Sequence, residues 1–195
     1  MSLELDIRDR RLLDVFDPAS ALECLAHGFQ FIEGPVWHPT REHLIFSDIV
    51  GDCLHRWDLA TGVSIERQPS RMANGNAYDR QGRLLTCEHA TSRVTRLEPD
   101  GSLTVLASHF EGRELNSPND IVVKSDGAIY FTDPNFGRRP TRVGVPRPQQ
   151  QPCQAVYRID PDTSSLTRVA DDFDQPNGLC FSLDEARLFV NASPR

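Results

Sequence analysis

The sequence predicts an all-β fold of the β-propeller class, because one short pattern recurs along the chain. Each copy starts with a polar residue, continues through an apolar strand and a turn, and ends in a second apolar strand. The copies begin near residues 33, 74, 119 and 177. Repeats of about 40 to 50 residues that hold several short strands are typical of propeller blades, whereas helical repeats would need apolar residues three and four positions apart. The chain therefore supplies about four blades.

The first copy follows a predicted N-terminal arm, residues 1–28, and the partial propeller is predicted to span residues 29–195. In the first two copies apolar runs alternate with turn residues, so each copy is expected to form an antiparallel meander. The predicted strands are residues 33–37, 44–48 and 53–58 in the first copy and residues 74–78, 84–89 and 93–98 in the second.

The third copy is the clearest, because a Ser-Asp-Gly turn at residues 125–127 separates two β-rich runs. A long loop rich in Pro, Arg and Gln follows at residues 134–152. The remaining predicted strands are residues 121–123, 128–133 and 155–162 in the third copy and residues 176–181 and 188–191 in the fourth. Since a propeller hides its sheet edges by closing into a ring, four copies predict that the chain is a fragment of a longer one.

Composition and charge exclude several classes of partner. The 195 residues carry a formal net charge of −7, and Lys and Arg never run for more than two positions, so the basic face that nucleic acids and anionic membranes require is missing. Residues 1–11 mix charges with apolar residues, which predicts no signal peptide and a cytoplasmic location. Five scattered cysteines without a C-x-x-C pair predict free thiols, with Cys87 and Cys180 in the core, rather than a cysteine-rich zinc site.

A candidate metal site follows from the position that starts each copy. The innermost strand of a blade borders the central channel, so Glu33, Asn119 and Asn177 are expected to converge on one spot. Carboxylate and amide oxygens suit Ca²⁺ or Mg²⁺, and Zn²⁺ or Mn²⁺ could also bind there. The alternative is that Asn177-Gly178 and Asn74-Gly75 are only turn dipeptides. For Asn74 alone the two interpretations are evenly matched.

A second set of polar residues closes the second strand of each copy. These residues could line the channel, or they could cap turns and pair with arginines such as Arg93. They are Asp48, Glu88, His89, Asp133 and Asn191. The arginines of the long loop are expected to form a solvated lid, from which one could reach a substrate. They are Arg138, Arg139, Arg142 and Arg147.

Several motifs in order resemble the gluconolactonase/regucalcin (senescence marker protein) family. They are residues 31–37 (FIEGPVW), 115–120 (LNSPND), 130–134 (YFTDP) and 175–179 (QPNGL), and residues 81–89 resemble the bacterial gluconolactonase branch. The resemblance implies a six-bladed β-propeller with one divalent cation at the channel mouth, held by Glu33, Asn119 and Asn177. It also implies a fourth ligand, an aspartate that serves as general base, which is expected beyond Arg195.

The function that follows is metal-dependent hydrolysis of a small-molecule sugar lactone such as gluconolactone, with water attacking a carbonyl that the cation polarises. Within the chain, Asp120 is the nearest candidate for the general base. Substrate contacts are assigned to Asn74, His89 and Asn116. The alternatives are a phosphotriesterase of the diisopropylfluorophosphatase type, and a non-catalytic calcium-binding or truncated propeller. A serine-esterase route has no support, since no Gly-x-Ser-x-Gly motif occurs.

Overall fold

A computed structural model of the chain describes residues 6–15, 17–38 and 40–194. The predicted N-terminal arm and the signal-peptide prediction fall partly on residues 1–5, which lie outside the described residues, as do Phe16, Pro39 and Arg195. A single turn of 3-10 helix, Arg10–Asp14, precedes the first strand. Within the described residues, no helix has both the length and the apolar composition needed to cross a membrane.

The first two blades are antiparallel sheets of four strands each, ordered as they occur in the chain. The first holds β1 (Ile32–His38), β2 (His43–Asp48), β3 (Cys53–Asp58) and β4 (Gly62–Arg67). The second holds β5 (Ala73–Tyr78), β6 (Leu84–Glu88), β7 (Arg93–Leu97) and β8 (Leu103–Ala107). Each is the meander that the alternating strands and turns predict.

The third blade follows a two-stranded hairpin, β9 (His109–Phe110) and β10 (Arg113–Glu114). It consists of β11 (Ile121–Val123), β12 (Ile129–Asp133), β13 (Ala155–Ile159) and β14 (Leu166–Ala170). A short 3-10 helix, Phe136–Arg138, lies between β12 and β13. The last sheet of the described residues has two strands, β15 (Pro176–Phe181) and β16 (Leu188–Ala192). The prediction of an all-β propeller fold that contributes about four blades is confirmed.

The innermost strands β1, β5, β11 and β15 lie side by side in that order. Two glycines allow this close approach. A Cβ atom on Gly34, whose φ is +54°, would lie 2.0 Å from the main-chain oxygen of Asn74. A Cβ atom on Gly75 would lie 2.4 Å from the main-chain oxygen of Asn119. Real Cβ atoms never come this close to backbone, so both positions require glycine.

Apolar side chains fill the spaces between neighbouring blades. Between the second and third blades the core includes Leu85, Cys87 and Phe131, and the ring of Phe131 stacks on that of Tyr157 with centroids 5.5 Å apart. All five cysteines are free. Cys87 is fully buried, as predicted, but Cys180 is exposed, contrary to prediction. The reason is its position in the two-stranded sheet, one face of which is not covered by another blade among the described residues.

Candidate functional site

Five of the seven predicted site residues line one cavity of about 280 Å³ where the innermost strands begin. These are Glu33, Asn74, His89, Asn119 and Asn177. The remaining wall is largely apolar and consists of Phe31, Ile49, Phe136, Val143 and Ser193. A concave site with an apolar wall and a few convergent polar groups is the usual form of a small-molecule site.

Irregular strand pairing places the site residues at the start of the innermost strands. The register of β1 against β2 shifts after Glu33, and that of β15 against β16 shifts after Pro176, next to Asn177. The register of β5 against β6 shifts after Ala73, next to Asn74. A β-bulge inserts an unpaired residue and re-aims the neighbouring side chain. The same irregularity in three blades therefore turns equivalent side chains toward one place.

Hydroxyl groups of the second strands hold the main chain of the site. The Oγ atom of Ser47 donates to the carbonyl oxygen of Asn74 at 2.6 Å, and Oγ1 of Thr132 donates to that of Asn177 at 2.6 Å. In both cases a strand of one blade fixes a site residue of the next. Neither Ser47 nor Thr132 is among the predicted site residues. Their signal is a Ser or Thr immediately before the aspartate that ends β2 and β12.

Each of the three asparagine amides in the cavity has its nitrogen bound to the protein. Nδ2 of Asn74 and Nδ2 of Asn119 lie 3.1 Å and 3.5 Å from Nε2 of His89. Nδ2 of Asn177 donates to Oγ of Ser193 at 3.0 Å. Among the described residues, no group donates to the three Oδ1 atoms. Their lone pairs therefore remain available to a ligand in the cavity.

His89 is fully buried, and its two ring nitrogens both face the protein. Nδ1 lies 2.9 Å from the carbonyl oxygen of Val143, which can only accept, so Nδ1 carries the hydrogen. Burial lowers the pKa of His89 to about 4, and the ring is therefore neutral. This arrangement leaves His89 no free nitrogen for the substrate contact that the sequence predicts.

Two carboxylates near the axis differ in their surroundings. Desolvation raises the pKa of Glu33, and the nearby charge of Asp120 raises it further. Burial also raises the pKa of Asp120, whose oxygens accept hydrogen bonds from the N–H groups of Ile121 at 2.9 Å and Leu179 at 3.0 Å. Asp120 does not line the cavity that holds Glu33. It lines a second, larger cavity between the innermost strands, and its carboxylate joins β11 to β15.

The structure does not bring Asn116 to the cavity. Its Nδ2 donates to the carbonyl oxygens of Asp133 at 3.1 Å and Cys153 at 3.0 Å, and its N–H donates to the Asp133 carboxylate at 2.8 Å. Asp48 likewise accepts main-chain N–H groups, and Glu88 pairs with Arg93 at 2.9 Å. Asp48 and Glu88 close the second strands of the first two blades, and their contacts match the alternative interpretation for such residues, namely capping and ion pairing.

The long loop at residues 134–152 is anchored, not a solvated lid. Arg138 is buried, and its guanidinium donates to the carbonyl oxygens of Asn116 at 2.7 Å and Pro148 at 2.6 Å. Arg147 donates to the carbonyl oxygen of His89 at 2.8 Å. Arg142 remains exposed and lies 5.0 Å from the centre of the Phe31 ring. Arg138 and Arg147 therefore anchor the loop over the cavity. For these two of the four arginines the expectation of a solvated lid is wrong.

The donor set of the cavity fits a hard cation. The described residues contain no cluster of three or more His, Cys, Asp or Glu side chains that could hold a metal ion. The set here is of another kind, with one carboxylate from Glu33 and the uncommitted amide oxygens of Asn119 and Asn177. Neutral and charged oxygens of this kind are preferred by Ca²⁺ and Mg²⁺.

Comparison with known proteins gives three consistent matches. A family model described as SMP-30/Gluconolactonase/LRE-like region matches residues 31–195. The chain is 30% identical to a gluconolactonase of Zymomonas mobilis, over 95% of the chain and 55% of that protein. A solved structure of a gluconolactonase from Xanthomonas campestris superposes with a TM-score of 0.84 at 42% identity, over 87% of the chain and 56% of that one.

A calcium-binding protein, regucalcin, from Agrobacterium tumefaciens superposes with a TM-score of 0.63 at 19% identity, over 86% of the chain and 52% of that structure. At this identity the likeness concerns the fold alone. The chain spans about half the length of the relatives that it matches.

Proposed function

The chain belongs to the SMP-30/gluconolactonase/LRE-like family, and from this membership we propose that it forms part of a metal-dependent hydrolase of sugar lactones. The relatives named gluconolactonase support the choice of a sugar lactone as substrate. The observation that carries the proposal is the cavity in which Glu33, Asn119 and Asn177 present oxygen atoms together.

We propose Glu33, Asn119 and Asn177 as the ligands of one divalent cation. Ca²⁺ is our first choice because amide and carboxylate oxygens suit it, and Mg²⁺, Zn²⁺ and Mn²⁺ are the alternatives. When bound, the cation supplies a Lewis acid that polarises the lactone carbonyl and stabilises negative charge on its oxygen. The carboxylate of Glu33 contributes the negative charge of the set, and desolvation together with the nearby charge of Asp120 raises its pKa.

The other cavity residues orient the lactone. The free Oδ1 of Asn74 is placed to accept a hydrogen bond from a sugar hydroxyl. Phe31 and Phe136 offer apolar faces for the C–H surface of the ring and limit the access of bulk water. The candidate within the chain for the base that deprotonates the attacking water is Asp120, whose pKa is raised by burial.

The test uses the natural full-length gene product that contains these residues. Acid released from gluconolactone is titrated with base, before and after chelation, for the wild type, Glu33→Ala and Glu66→Ala. Glu66 is an exposed glutamate in β4 of the same blade and serves as the matched control. We expect chelation and Glu33→Ala each to abolish release above the spontaneous rate, with Glu66→Ala unaffected. Release that survives both treatments would contradict the metal mechanism.

The same assay separates the alternatives. A phosphotriesterase would release fluoride from a fluorophosphate faster than acid from the lactone, and a non-catalytic calcium-binding propeller would bind Ca²⁺ without turning over either compound. A cytoplasmic location remains a prediction from sequence.

A further inference from the structure

We propose that His89 is a positioning residue for the candidate metal site, where it holds the amides of Asn74 and Asn119 with their oxygens free for the cation and the substrate. The inference rests on the proposed function, because it assigns a purpose to side chains around the cation position. It gives His89 a role that differs from direct substrate contact, since the ring acts through two other residues.

The hydrogen bonds determine where the ring hydrogen lies. The carbonyl of Val143 only accepts, so Nδ1 of His89 donates to it over 2.9 Å. Nε2 faces the Nδ2 groups of Asn74 at 3.1 Å and of Asn119 at 3.5 Å, which only donate, so Nε2 carries the lone pair that accepts from both. Because the imidazole holds the nitrogen of each amide, the oxygen of the same amide is turned away from the ring. One ring therefore fixes the orientation of two amides from adjacent blades.

The loop at residues 134–152 in turn fixes the ring. Besides the Val143 carbonyl, the loop contributes Arg147, which donates to the main-chain oxygen of His89 at 2.8 Å. Gly137 lies so close that a Cβ atom there would be 2.8 Å from Cβ and Cγ of His89. Backbone and side chain of His89 are thus both held by one loop. Such outer contacts fix the tautomer and orientation of groups that serve a metal site.

Three substitutions separate orientation from packing. His89→Gln keeps a hydrogen-bond acceptor near the place of Nε2. His89→Asn keeps only a donor near the place of Nδ1, and His89→Phe keeps the ring volume without either group. The matched control is His43→Phe, because His43 is equally buried but bonds to Tyr78 at 2.9 Å between the first two blades.

Ca²⁺ affinity of the full-length protein is measured by isothermal titration calorimetry. We expect His89→Asn and His89→Phe to weaken Ca²⁺ binding by about 10- to 100-fold, the usual effect of losing an outer-shell contact. His89→Gln should recover most of the affinity, and His43→Phe should leave it unchanged. If His89→Gln binds Ca²⁺ as weakly as His89→Phe, or if all variants match the wild type, the inference is wrong.

A second measurement needs no metal. The ¹⁵N NMR spectrum of the metal-free protein reports which ring nitrogen of His89 carries the hydrogen, and we expect Nδ1. A hydrogen on Nε2 would overturn the inference even if Ca²⁺ bound normally. A wild-type protein that binds no divalent cation would instead overturn the proposed function. The NMR result would then still show whether His89 orients the two amides.

Discussion

The Oγ1 atom of Thr132 donates a 2.6 Å hydrogen bond to the main-chain oxygen of Asn177, 45 residues further along and in the next blade. The same hydroxyl accepts from the N–H of Asp120 at 3.1 Å. Thr132 is fully buried. Thr132 thus connects two of the three cavity asparagines, because its main-chain oxygen also accepts a hydrogen bond from the N–H of Asn119 at 2.8 Å.

Replacing Thr132 with Val should therefore weaken both the fold and the site. The substitution keeps the shape of the side chain but removes hydrogen bonds from two half-buried main-chain groups, the carbonyl of Asn177 and the N–H of Asp120, and the two lost bonds together cost about 1–3 kcal/mol. We expect the free energy of unfolding in urea to fall by this amount and the Ca²⁺ affinity to fall with it. Thr132→Ser retains the hydroxyl and is the control. Equal Ca²⁺ affinity for Thr132→Val and wild type would show that the hydrogen bond does not position Asn177.

Gly75→Ala tests the close approach of the innermost strands. The added methyl group would meet the main-chain oxygen of Asn119 at 2.4 Å and Cα of Asp120 at 2.6 Å, so backbone must move. Overpacking of this kind costs about 1–3 kcal/mol. We expect a lower urea midpoint together with weaker Ca²⁺ binding, because the displaced backbone carries Asn119.

The matched control for this change is Gly101→Ala. No atom lies within 4 Å of a Cβ there, although its φ of +84° makes an alanine strained. That variant should lose about 1 kcal/mol to backbone strain and keep its Ca²⁺ affinity. If Gly101→Ala weakens Ca²⁺ binding as much as Gly75→Ala does, the effect is a general loss of stability and not a change at the site.

The sequence predicts a site residue where that residue recurs at one position of the repeat, and it does not predict a contact with a segment that is not repeated. Glu33, Asn119 and Asn177 are visible from sequence because they recur at one position of a repeat, and the structure brings them into one cavity. The partner of His89 is not visible, because Val143 lies 54 residues away in a loop that has no counterpart in the other repeats. Asn116 is predicted to contact the substrate, but its amide donates to the main-chain oxygens of Asp133 and Cys153 in the third blade.

The strands, too, are predicted only where the sequence carries a local signal. The hairpin of β11 and β12 is predicted almost residue for residue, since its turn and its alternating apolar residues are local signals. The hairpin of β9 and β10 was not predicted, because two-residue strands leave no periodic signal. Cys180 was expected in the core because its strand is apolar, and only the arrangement of blades reveals that this face is uncovered.

The anchoring of the long loop can be tested with two arginines that differ in burial. Arg138 donates in three directions, to carbonyl oxygens of Leu115, Asn116 and Pro148. The single ammonium group of a lysine cannot reproduce the planar guanidinium that reaches all three oxygens. We expect Arg138→Lys to raise the rate of chymotrypsin cleavage after Phe136 by about tenfold, which corresponds to about 1.4 kcal/mol of lost local stability. Arg142→Lys, at the exposed position, should leave the rate unchanged, and similar rates for both variants would contradict the proposed anchoring.

The pH dependence of stability should reveal the buried carboxyl of Asp133. Burial raises its pKa to about 7, and its Oδ2 accepts from the N–H of Asn116 at 2.8 Å. In the unfolded chain an aspartate ionises near pH 4, roughly its reference value. Between these two values the folded state keeps a proton that the unfolded state has lost. The stability associated with the neutral carboxyl is therefore complete below about pH 4 and is lost as the pH rises through about 7.

Asp133→Asn should remove this dependence, because an amide stays neutral and keeps an oxygen for the N–H of Asn116. Urea unfolding of both proteins at pH 5, 6, 7 and 8 gives the difference in free energy, in which the contributions of other titrating groups cancel. We expect the variant to gain stability relative to wild type as the pH rises, by on the order of 4 kcal/mol between the two pKa values. The difference should be largest at pH 8. A constant difference across the four pH values would show that Asp133 is already ionised in the folded protein.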